Sequence, residues 1–337
     1  LLDWCWSFLN LLFIKNKILM LDFDKLILEA RDEVSSFLDQ NPKGTILIWW
    51  ATATGKTKLS VHLSQFFDME VISSDSRQIF RKMDIWTDKI SPEIRAQIPH
   101  HQIDIVDPDQ TYTAGQRKED SDRICDQILE RGKVPFIVGG TGLYIDTIYK
   151  NFSMPECPPD LDLRAELEQK ESQEAWFLYR ELSKIDPDEA QKLHPNSIRY
   201  LIRALEIFYK TGKTKTEGYI QQPVRHPLLM LGLWRDKEST NQLINARIKE
   251  MLKGWLIQEV QGLLDQGYLP EMQSLQTIGY KEVVAYLQWE YSFDKMEELL
   301  KRNTHHLAKK QRTRFRRYIA EGLQNPKANV TYKVRTL

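Results

Sequence analysis

Short apolar runs alternate with longer amphipathic segments in the first half of the chain. The runs at 45–50, 69–73 and 134–138 predict buried strands, and each is followed by a polar or glycine-rich loop and then by a segment with helical period. Residues 21–40 have the period of an amphipathic helix, which the Asn-Pro-Lys-Gly sequence at 41–44 ends. Strands that alternate with helices predict a doubly wound parallel α/β sheet, whose ligands bind at the carboxyl ends of the strands.

Helical periods dominate the second half of the chain. Three prolines lie within 151–159, and the charged stretch after them predicts a small all-helical insertion over residues 151–195. A short apolar run at 228–233 predicts a strand that returns to the sheet, with helices from there to the end. We therefore predict three parts: an N-terminal extension (1–40), an α/β core with C-terminal helices (41–150 and 196–337), and the insertion.

Composition narrows the class of protein. With 337 residues, 42% hydrophobic, the chain is long enough for about two folded domains. Its 47 Lys and Arg balance 47 Asp and Glu, which excludes a disordered tail and a wholly basic nucleic-acid binder. One segment is locally basic, because residues 299–320 contain no acid. Its cationic side chains predict contact with a polyanion: Lys301, Arg302, Lys309, Lys310, Arg312, Arg314, Arg316 and Arg317, together with His305 and His306.

The cysteines and the N-terminus bear on location. Three widely spaced cysteines, Cys5, Cys125 and Cys157, indicate neither a disulfide framework nor a zinc site, and favour a reducing cytoplasm. The first twenty residues lack the features of a signal peptide. Because the chain begins with Leu and Met20 opens a more polar stretch, we interpret residues 1–19 as upstream reading frame.

A phosphate-binding loop follows the first predicted strand. Thr52-Ala53-Thr54-Gly55-Lys56-Thr57 ends with the Gly-Lys-Thr of the G-x-x-x-x-G-K-[ST] pattern and opens a predicted helix. In such a loop backbone amides face phosphate oxygens, Lys56 adds a positive charge and the Thr57 hydroxyl can ligate Mg²⁺. The first glycine of the pattern is replaced by Trp50, whose side chain is expected to obstruct close approach of the backbone to a ligand.

Several further blocks carry a family resemblance. Their order and spacing over residues 45–318 resemble those of the tRNA dimethylallyltransferases. The blocks are Ser73 to Phe80, Met83 to Lys89, His100 to Asp104, Val138 to Tyr144, Arg203 to Glu206, Thr277 to Glu282, and Lys301 to Gln311.

The resemblance implies transfer of a dimethylallyl group from dimethylallyl diphosphate to the exocyclic amine of the adenosine 3′-adjacent to the anticodon of tRNA, assisted by Mg²⁺. It also implies a phosphate-loop core related to nucleotide kinases, of the ATP-binding type, with a helical insertion that binds the anticodon stem-loop. A cytoplasmic monomer without membrane contact or an obligate protein partner is expected.

Site roles follow from the same resemblance. Thr52 is expected against the bridging oxygen of the diphosphate, Arg247 on the same diphosphate, and Asp75 as the base that takes the amine proton. Asp75 also suits a helix cap, and the two roles can coexist. Residues expected to contact RNA are Asp75, Ser76, Arg77, Gln78, Thr141, Arg164, Arg199 and Arg203. Among these, Gln78 suits the adenine edge, and Arg77 and Arg203 suit phosphates.

Four tryptophans, Trp50, Trp86, Trp255 and Trp289, stand where the family usually has glycine, and Trp49 and Trp176 fit the pattern more loosely. We interpret these tryptophans as glycines. In this interpretation the gene comes from a genome that reads UGA as glycine, and it was translated with a table that reads UGA as tryptophan. The rival interpretation is a degenerate homologue, but Lys56, Thr57 and Asp75 are intact.

Three other functions stay open on the sequence. A small-molecule kinase would share the phosphate loop, but not the Asp-Ser-x-Gln block or the basic segment. An adenylate isopentenyltransferase would not need the helical insertion. An inactive RNA-binding homologue is expected if Trp50 is authentic.

Overall fold

Six parallel strands form the sheet in the part of the chain that the computed structural model describes, residues 23–324 and 329–336. They are β1 (Thr45–Trp49), β2 (Met69–Ser73), β3 (His100–His101), β4 (Val134–Gly139), β5 (Leu228–Trp234) and β6 (Val330–Thr336). The order is β3-β2-β4-β1-β5-β6, and every pairing is parallel. The predicted α/β class is confirmed. Residues 1–19 and Cys5 lie outside the described residues.

Helices connect and cover the strands. They are α1 (23–40), α2 (Lys56–Leu63), α3 (Pro92–Gln97), α4 (Ala114–Glu130), α5 (Gly142–Tyr149), α6 (Leu161–Gln173), α7 (Phe177–Ile185), α8 (Pro187–Ala190), α9 (Ile198–Thr211), α10 (Lys215–Gly218), α11 (Lys237–Lys253), α12 (Leu256–Asp265), α13 (Tyr280–Leu287) and α14 (Phe293–Gln324). Within the described ranges, no helix has both the length and the apolar character needed to cross a membrane.

Continuous burial explains why the central strands are apolar throughout. Every residue of β1 and β2 is buried, as expected for parallel strands covered on both faces. The register pairs Trp49 with Gly139 and Ser73 with Val138, so β1, β2 and β4 end at nearly the same level. The loops that follow these strands therefore meet at one edge.

The C-terminal strand differs from the sequence prediction, which placed only helices after residue 233. β6 pairs with β5 in parallel over Leu228 to Trp234. It is an edge strand whose side chains from Val330 to Val334 are intermediate or exposed, and its polar, β-branched sequence VTYKVRT lacks the apolar run that identified the other strands.

The chain forms two compact units. Among the described residues, the first comprises 23–112, Glu119–Ile145, 224–324 and 329–336, and it contains the sheet. The second comprises Thr113–Lys118 and Asp146–Pro223, and it contains α6 to α10.

The second unit has a hydrophobic core of its own. Buried side chains of α6, α7, α8 and α9 form it: Leu167, Leu178, Leu182, Ala190, Leu201, Ile202, Ala204 and Leu205. The unit extends beyond the insertion predicted over 151–195 because α9, with four of these eight side chains, completes its core.

Candidate active site

Three loops meet at the carboxyl ends of β1, β2 and β4. Ser74 N donates to Val138 O at 2.7 Å, and Thr141 N donates to Ser74 O at 3.1 Å. Ser76 N donates to the Thr141 hydroxyl at 3.0 Å. The approach leaves no room for a side chain at Gly139, where a Cβ would lie 2.3 Å from Ser74 O. The glycine-rich loop and the loop that carries Asp75 are thus held together.

The loop after β1 folds back on the carbonyl group of Ala51. The Thr54 hydroxyl donates to Ala51 O at 3.0 Å, and Lys56 Nζ donates to the same oxygen at 2.7 Å. Gly55 precedes α2 with φ of 88°, a left-handed conformation that glycine adopts without steric cost. The loop therefore places the Lys56 ammonium group at the N-terminus of α2, where an anion is favoured.

Charges from three elements converge on Lys56. Burial lowers the pKa of Lys56 from 10.5 to about 8, the negative charge of Asp75 opposes this shift, and the positive charge of Arg247 adds to it. Asp88 also raises the pKa of Lys56. The ammonium group thus interacts electrostatically with the predicted base and with the second predicted diphosphate ligand.

Arg247, on α11, is held by the loop that follows Met83. Its Nη1 lies 3.2 Å from Asp88 Oδ2, and its Nη2 donates to Trp86 O at 3.4 Å. A carboxylate that sequence reasoning did not single out holds this loop, because Glu259 Oε2 accepts from Asp84 N and Ile85 N, both at 2.8 Å.

Glu259 is itself enclosed. Tyr280 donates its hydroxyl to Glu259 Oε1 at 2.7 Å. Burial raises the pKa of Glu259 despite this bond and the two backbone amides. The half-buried Glu259 on α12 thus joins Tyr280 of α13 to the loop that contacts Arg247.

The Asp75 carboxylate is oriented by the backbone. Its Oδ1 accepts from Arg77 N at 2.8 Å, and Asp75 N donates to the Ser73 hydroxyl at 3.3 Å. This bond forms an Asx turn; the helix cap that the sequence allowed is wrong, because no helix begins between Asp75 and Pro92. The bond to Arg77 N fixes one carboxylate oxygen, so the direction of the other is also set.

Gln78 is bonded within the protein at both ends of its amide. Its Oε1 accepts from the Ser73 hydroxyl at 2.7 Å, and its Nε2 donates to Thr87 O at 3.1 Å and Asp88 O at 3.2 Å. Reading of an adenine edge by Gln78 stays a prediction, and it would require exchange of some of these bonds.

The other predicted RNA contacts lie in the helical unit. Arg164 binds Glu206 through Nε at 2.7 Å and Nη2 at 2.8 Å, and Arg203 Nη1 lies 2.5 Å from the same carboxylate. Glu206 is fully buried, so it fixes two half-buried guanidinium groups and leaves this cluster with a net positive charge. Arg199 is exposed on α9.

Two adjacent tryptophans fill the space beneath the phosphate loop. Trp49 and Trp50 are both 0% exposed, and their rings lie 5.3 Å and 5.9 Å from the Phe315 ring of α14. Within the described structure, neither Nε1 has a hydrogen-bond partner. An unpartnered buried donor costs about 1–3 kcal/mol. The residue that replaces the expected glycine at position 50 is thus accommodated at a cost.

The basic segment forms most of α14. Most of its cationic side chains are exposed, namely Arg302, His306, Lys309, Lys310, Arg314, Arg316 and Arg317, whereas Arg312 is buried. Between these residues Gln311 turns inward, where its amide contacts the phosphate loop and Gly140. The helix that carries these exposed cations thus also contacts the candidate site through Gln311.

The parallel sheet and the loop after β1 define the class of the protein as an α/β protein with a phosphate-loop-like fold. Residues 78–318 match the family model described as IPP transferase.

Named relatives agree with that match. The tRNA dimethylallyltransferase of Thermotoga neapolitana is 42% identical over 267 residues, which cover 79% of this chain and 87% of the relative. A crystal structure of the full-length tRNA isopentenylpyrophosphate transferase from Bacillus halodurans has 39% identity and a TM-score of 0.61, covering 87% of this chain and 90% of its own. A crystal structure of a eukaryotic dimethylallyltransferase acting on tRNA has 30% identity and a TM-score of 0.69, and the match covers 87% of this chain and 74% of that chain.

The chain belongs to the IPP transferase family. The resemblance stated from the sequence is confirmed. The kinase, the adenylate isopentenyltransferase and the inactive homologue are not favoured by these relatives.

Three residues in the site were not given roles from sequence. Asp88 contacts Arg247 directly, and Glu259 binds the loop that contacts Arg247. Gln311 bonds to two loops of the site. Asp88 and Gln311 fall within the family blocks, which was the available signal. Their contacts join residues more than 150 positions apart, so no local pattern could assign them.

Proposed function

We propose that this protein transfers the dimethylallyl group of dimethylallyl diphosphate to the exocyclic amine of the adenosine 3′-adjacent to the anticodon of a tRNA. The observation that carries the proposal is the convergence of Lys56, Arg247 and Asp75 at the sheet edge of a chain that belongs to the IPP transferase family. Two cations and one carboxylate match a reaction that releases diphosphate and one proton.

The reaction exchanges one bond for another. The bond between the allylic carbon and the diphosphate oxygen breaks, and the diphosphate leaves with the electron pair. The adenine nitrogen forms the new bond to that carbon and loses a proton to Asp75. Lys56 and Arg247 stabilise the charge that develops on the leaving oxygen, and the oriented Asp75 accepts the proton as the weak nucleophile attacks.

Mg²⁺ belongs to the proposal. In the described part of the chain no three His, Cys, Asp or Glu side chains form a metal-binding cluster. The residues present fit the usual Mg²⁺ arrangement, in which substrate phosphates and water supply most ligands, because the Thr57 hydroxyl at the start of α2 could supply the protein ligand. The ion would neutralise diphosphate charge.

RNA recognition uses both units in this proposal. The loop from Asp75 to Gln78 and Thr141 would contact the extruded adenosine, and Arg164, Arg199 and Arg203 would contact the anticodon stem-loop. The exposed cations of α14 would add backbone contacts. We expect a cytoplasmic, monomeric enzyme.

The test is an acceptor assay with radiolabelled dimethylallyl diphosphate and Mg²⁺. Label is expected in a tRNA with adenosine 3′ of its anticodon and absent from the same tRNA with guanosine there. Label in AMP instead would identify an adenylate isopentenyltransferase. Phosphate transfer from ATP to a small acceptor, without prenyl transfer, would identify a kinase. RNA binding without transfer would identify an inactive homologue.

A further inference from the structure

One side chain of the basic helix joins two loops of the site. Gln311 lies on α14, and its Oε1 accepts from Thr52 N at 2.9 Å. Its Nε2 donates to Gly140 O, also at 2.9 Å. Thr52 opens the phosphate loop, and Gly140 lies in the loop after β4, so one amide bridges segments 88 positions apart that no strand pairing joins at this point.

The bridge is specific to a primary amide. Thr52 requires an acceptor and Gly140 a donor, and glutamine supplies both from one planar group. The fit is close, because a Cβ at Gly140 would lie 2.8 Å from Gln311 Nε2 and 2.9 Å from Trp50 O. A glutamate of the same size would keep the acceptor and lose the donor.

Of the two residues that Gln311 bonds, one lies in the loop proposed to bind the diphosphate and the other lies in a loop that contacts the loop of Asp75, the proposed base. Thr52 belongs to the loop whose Lys56 is placed for a diphosphate. Gly140 precedes Thr141, whose hydroxyl accepts from Ser76 N beside Asp75. A displacement of either loop therefore changes the separation between the diphosphate and the base.

We propose that Gln311 is a positioning residue that holds the diphosphate-binding loop and the Asp75 loop at the separation the transfer requires; this rests on the proposed function. The Gln311 amide touches neither substrate, and acts through Thr52 and Gly140. Since the bond to Thr52 N uses that donor, the diphosphate is bound by the later amides of the loop and by Lys56.

The test compares Gln311→Glu and Gln311→Ala with Thr313→Ala, a control on the exposed side of the same helix. For Gln311→Glu we expect kcat/KM for dimethylallyl diphosphate to fall about tenfold or more, because small misplacements of reacting groups reduce rates strongly. KM for tRNA should change less than about twofold, since α14 keeps its cations. The defect should shrink at lower pH, because a protonated glutamate regains the donor. Thr313→Ala should match the wild type.

Two outcomes overturn the proposal. One is a Gln311→Glu variant with wild-type kcat/KM for the diphosphate. The other is a loss that falls equally on both substrates, follows a lowered Tm and does not recover at lower pH, which is the result for a purely structural residue. If the wild type itself prenylates no tRNA, the proposed function fails, and calorimetric binding of inorganic pyrophosphate then decides for Gln311. Weaker binding to Gln311→Glu than to Thr313→Ala supports positioning of the loop, and equal binding overturns it.

Discussion

Tryptophan occurs in two contrasting settings in this molecule. Trp49 and Trp50 lie beneath the phosphate loop, fully buried, with aromatic neighbours on α14 and with indole donors that have no partner in the described structure. Trp176, Trp255 and Trp289 lie at the ends of helices or turns, are 57%, 68% and 92% exposed, and have φ of 65°, 75° and 63°. The first setting leaves a buried side-chain donor without a partner, and the second strains the backbone.

The contrast shows that two independent physical requirements point to the same residue. At the helix ends a left-handed conformation is compatible with glycine and costs any residue with a Cβ about 1–2 kcal/mol. Beneath the loop, glycine would remove an unpartnered buried donor and free the backbone beside the ligand. Trp86 meets neither requirement: its φ is not positive, and its indole packs against Gly279, where it is an added Cβ on Gly279 that would lie 2.1 Å from the ring. Glycine at these positions stays a prediction, and UGG codons in the gene would contradict it.

The largest effect is expected at Lys56, in the phosphate loop that follows the two buried tryptophans. Lys56→Met removes the ammonium group held at Ala51 O, and kcat/KM should fall about 10²- to 10³-fold because charge on the leaving diphosphate loses a cation. Steady-state prenylation of tRNA measures it. Lys58→Met, two residues along and exposed, is the control. Equal activity of both variants would mean that the loop beside Trp50 binds no diphosphate.

A smaller effect is expected at the indole itself. Trp50→Gly should raise the affinity for inorganic pyrophosphate about tenfold, because the loop backbone can then approach the ligand. The same change at Trp49, which lies in β1 rather than in the loop, should alter Tm without altering affinity. Calorimetric titration and thermal unfolding of both variants separate the two results. Unchanged affinity in Trp50→Gly would show that the buried tryptophan is harmless to the loop.

The pH dependence of pyrophosphate binding should report on Lys56. Because its pKa is lowered to about 8, the charge on Lys56 is lost as pH rises through that value, and affinity should fall about tenfold between pH 7 and pH 9. The effect on stability has the opposite sign. Between about pH 8 and 10.5 the unfolded state binds more protons, so the Lys56 contribution to stability rises with pH. Lys56→Met is the control for titration of the ligand, and a parallel pH profile in both proteins would contradict this assignment.

The smallest effect is expected at the exposed tryptophans, and it tests the other half of the comparison. Trp289→Gly should be about 1 kcal/mol more stable than Trp289→Ala, because both variants lose the indole and only alanine keeps a Cβ at positive φ. Thermal unfolding of the pair measures the difference, and Trp176 and Trp255 provide replicates. If the alanine and glycine variants have the same Tm, the expected cost of a Cβ at positive φ is wrong.

Sequence patterns predicted the parts of the fold whose signal is local. The apolar runs placed β1, β2, β4 and β5 within one residue at each end, because these strands are almost wholly buried. β3 has two residues, and β6 lies at an edge, so neither has such a run. Both were missed.

The candidate site divides in the same way. The loop residues from Thr52 to Thr57 and Asp75 follow strands directly, so their meeting at one edge could be predicted from topology. The contacts of Gln311 with Thr52 and of Arg247 with Asp88 join residues 259 and 159 positions apart, and they depend on how helices pack against the sheet. Only the three-dimensional arrangement reveals them.

The edge strand β6 has a practical consequence. It caps the hydrogen-bonding edge of β5, whose residues Leu228 to Leu233 are all buried. A protein truncated after α14 would present that apolar edge to other molecules, and such edges promote self-association. Shortened versions of the chain should therefore precipitate or form aggregates even where every residue of the loops is intact, so loss of yield would be misread as loss of chemistry.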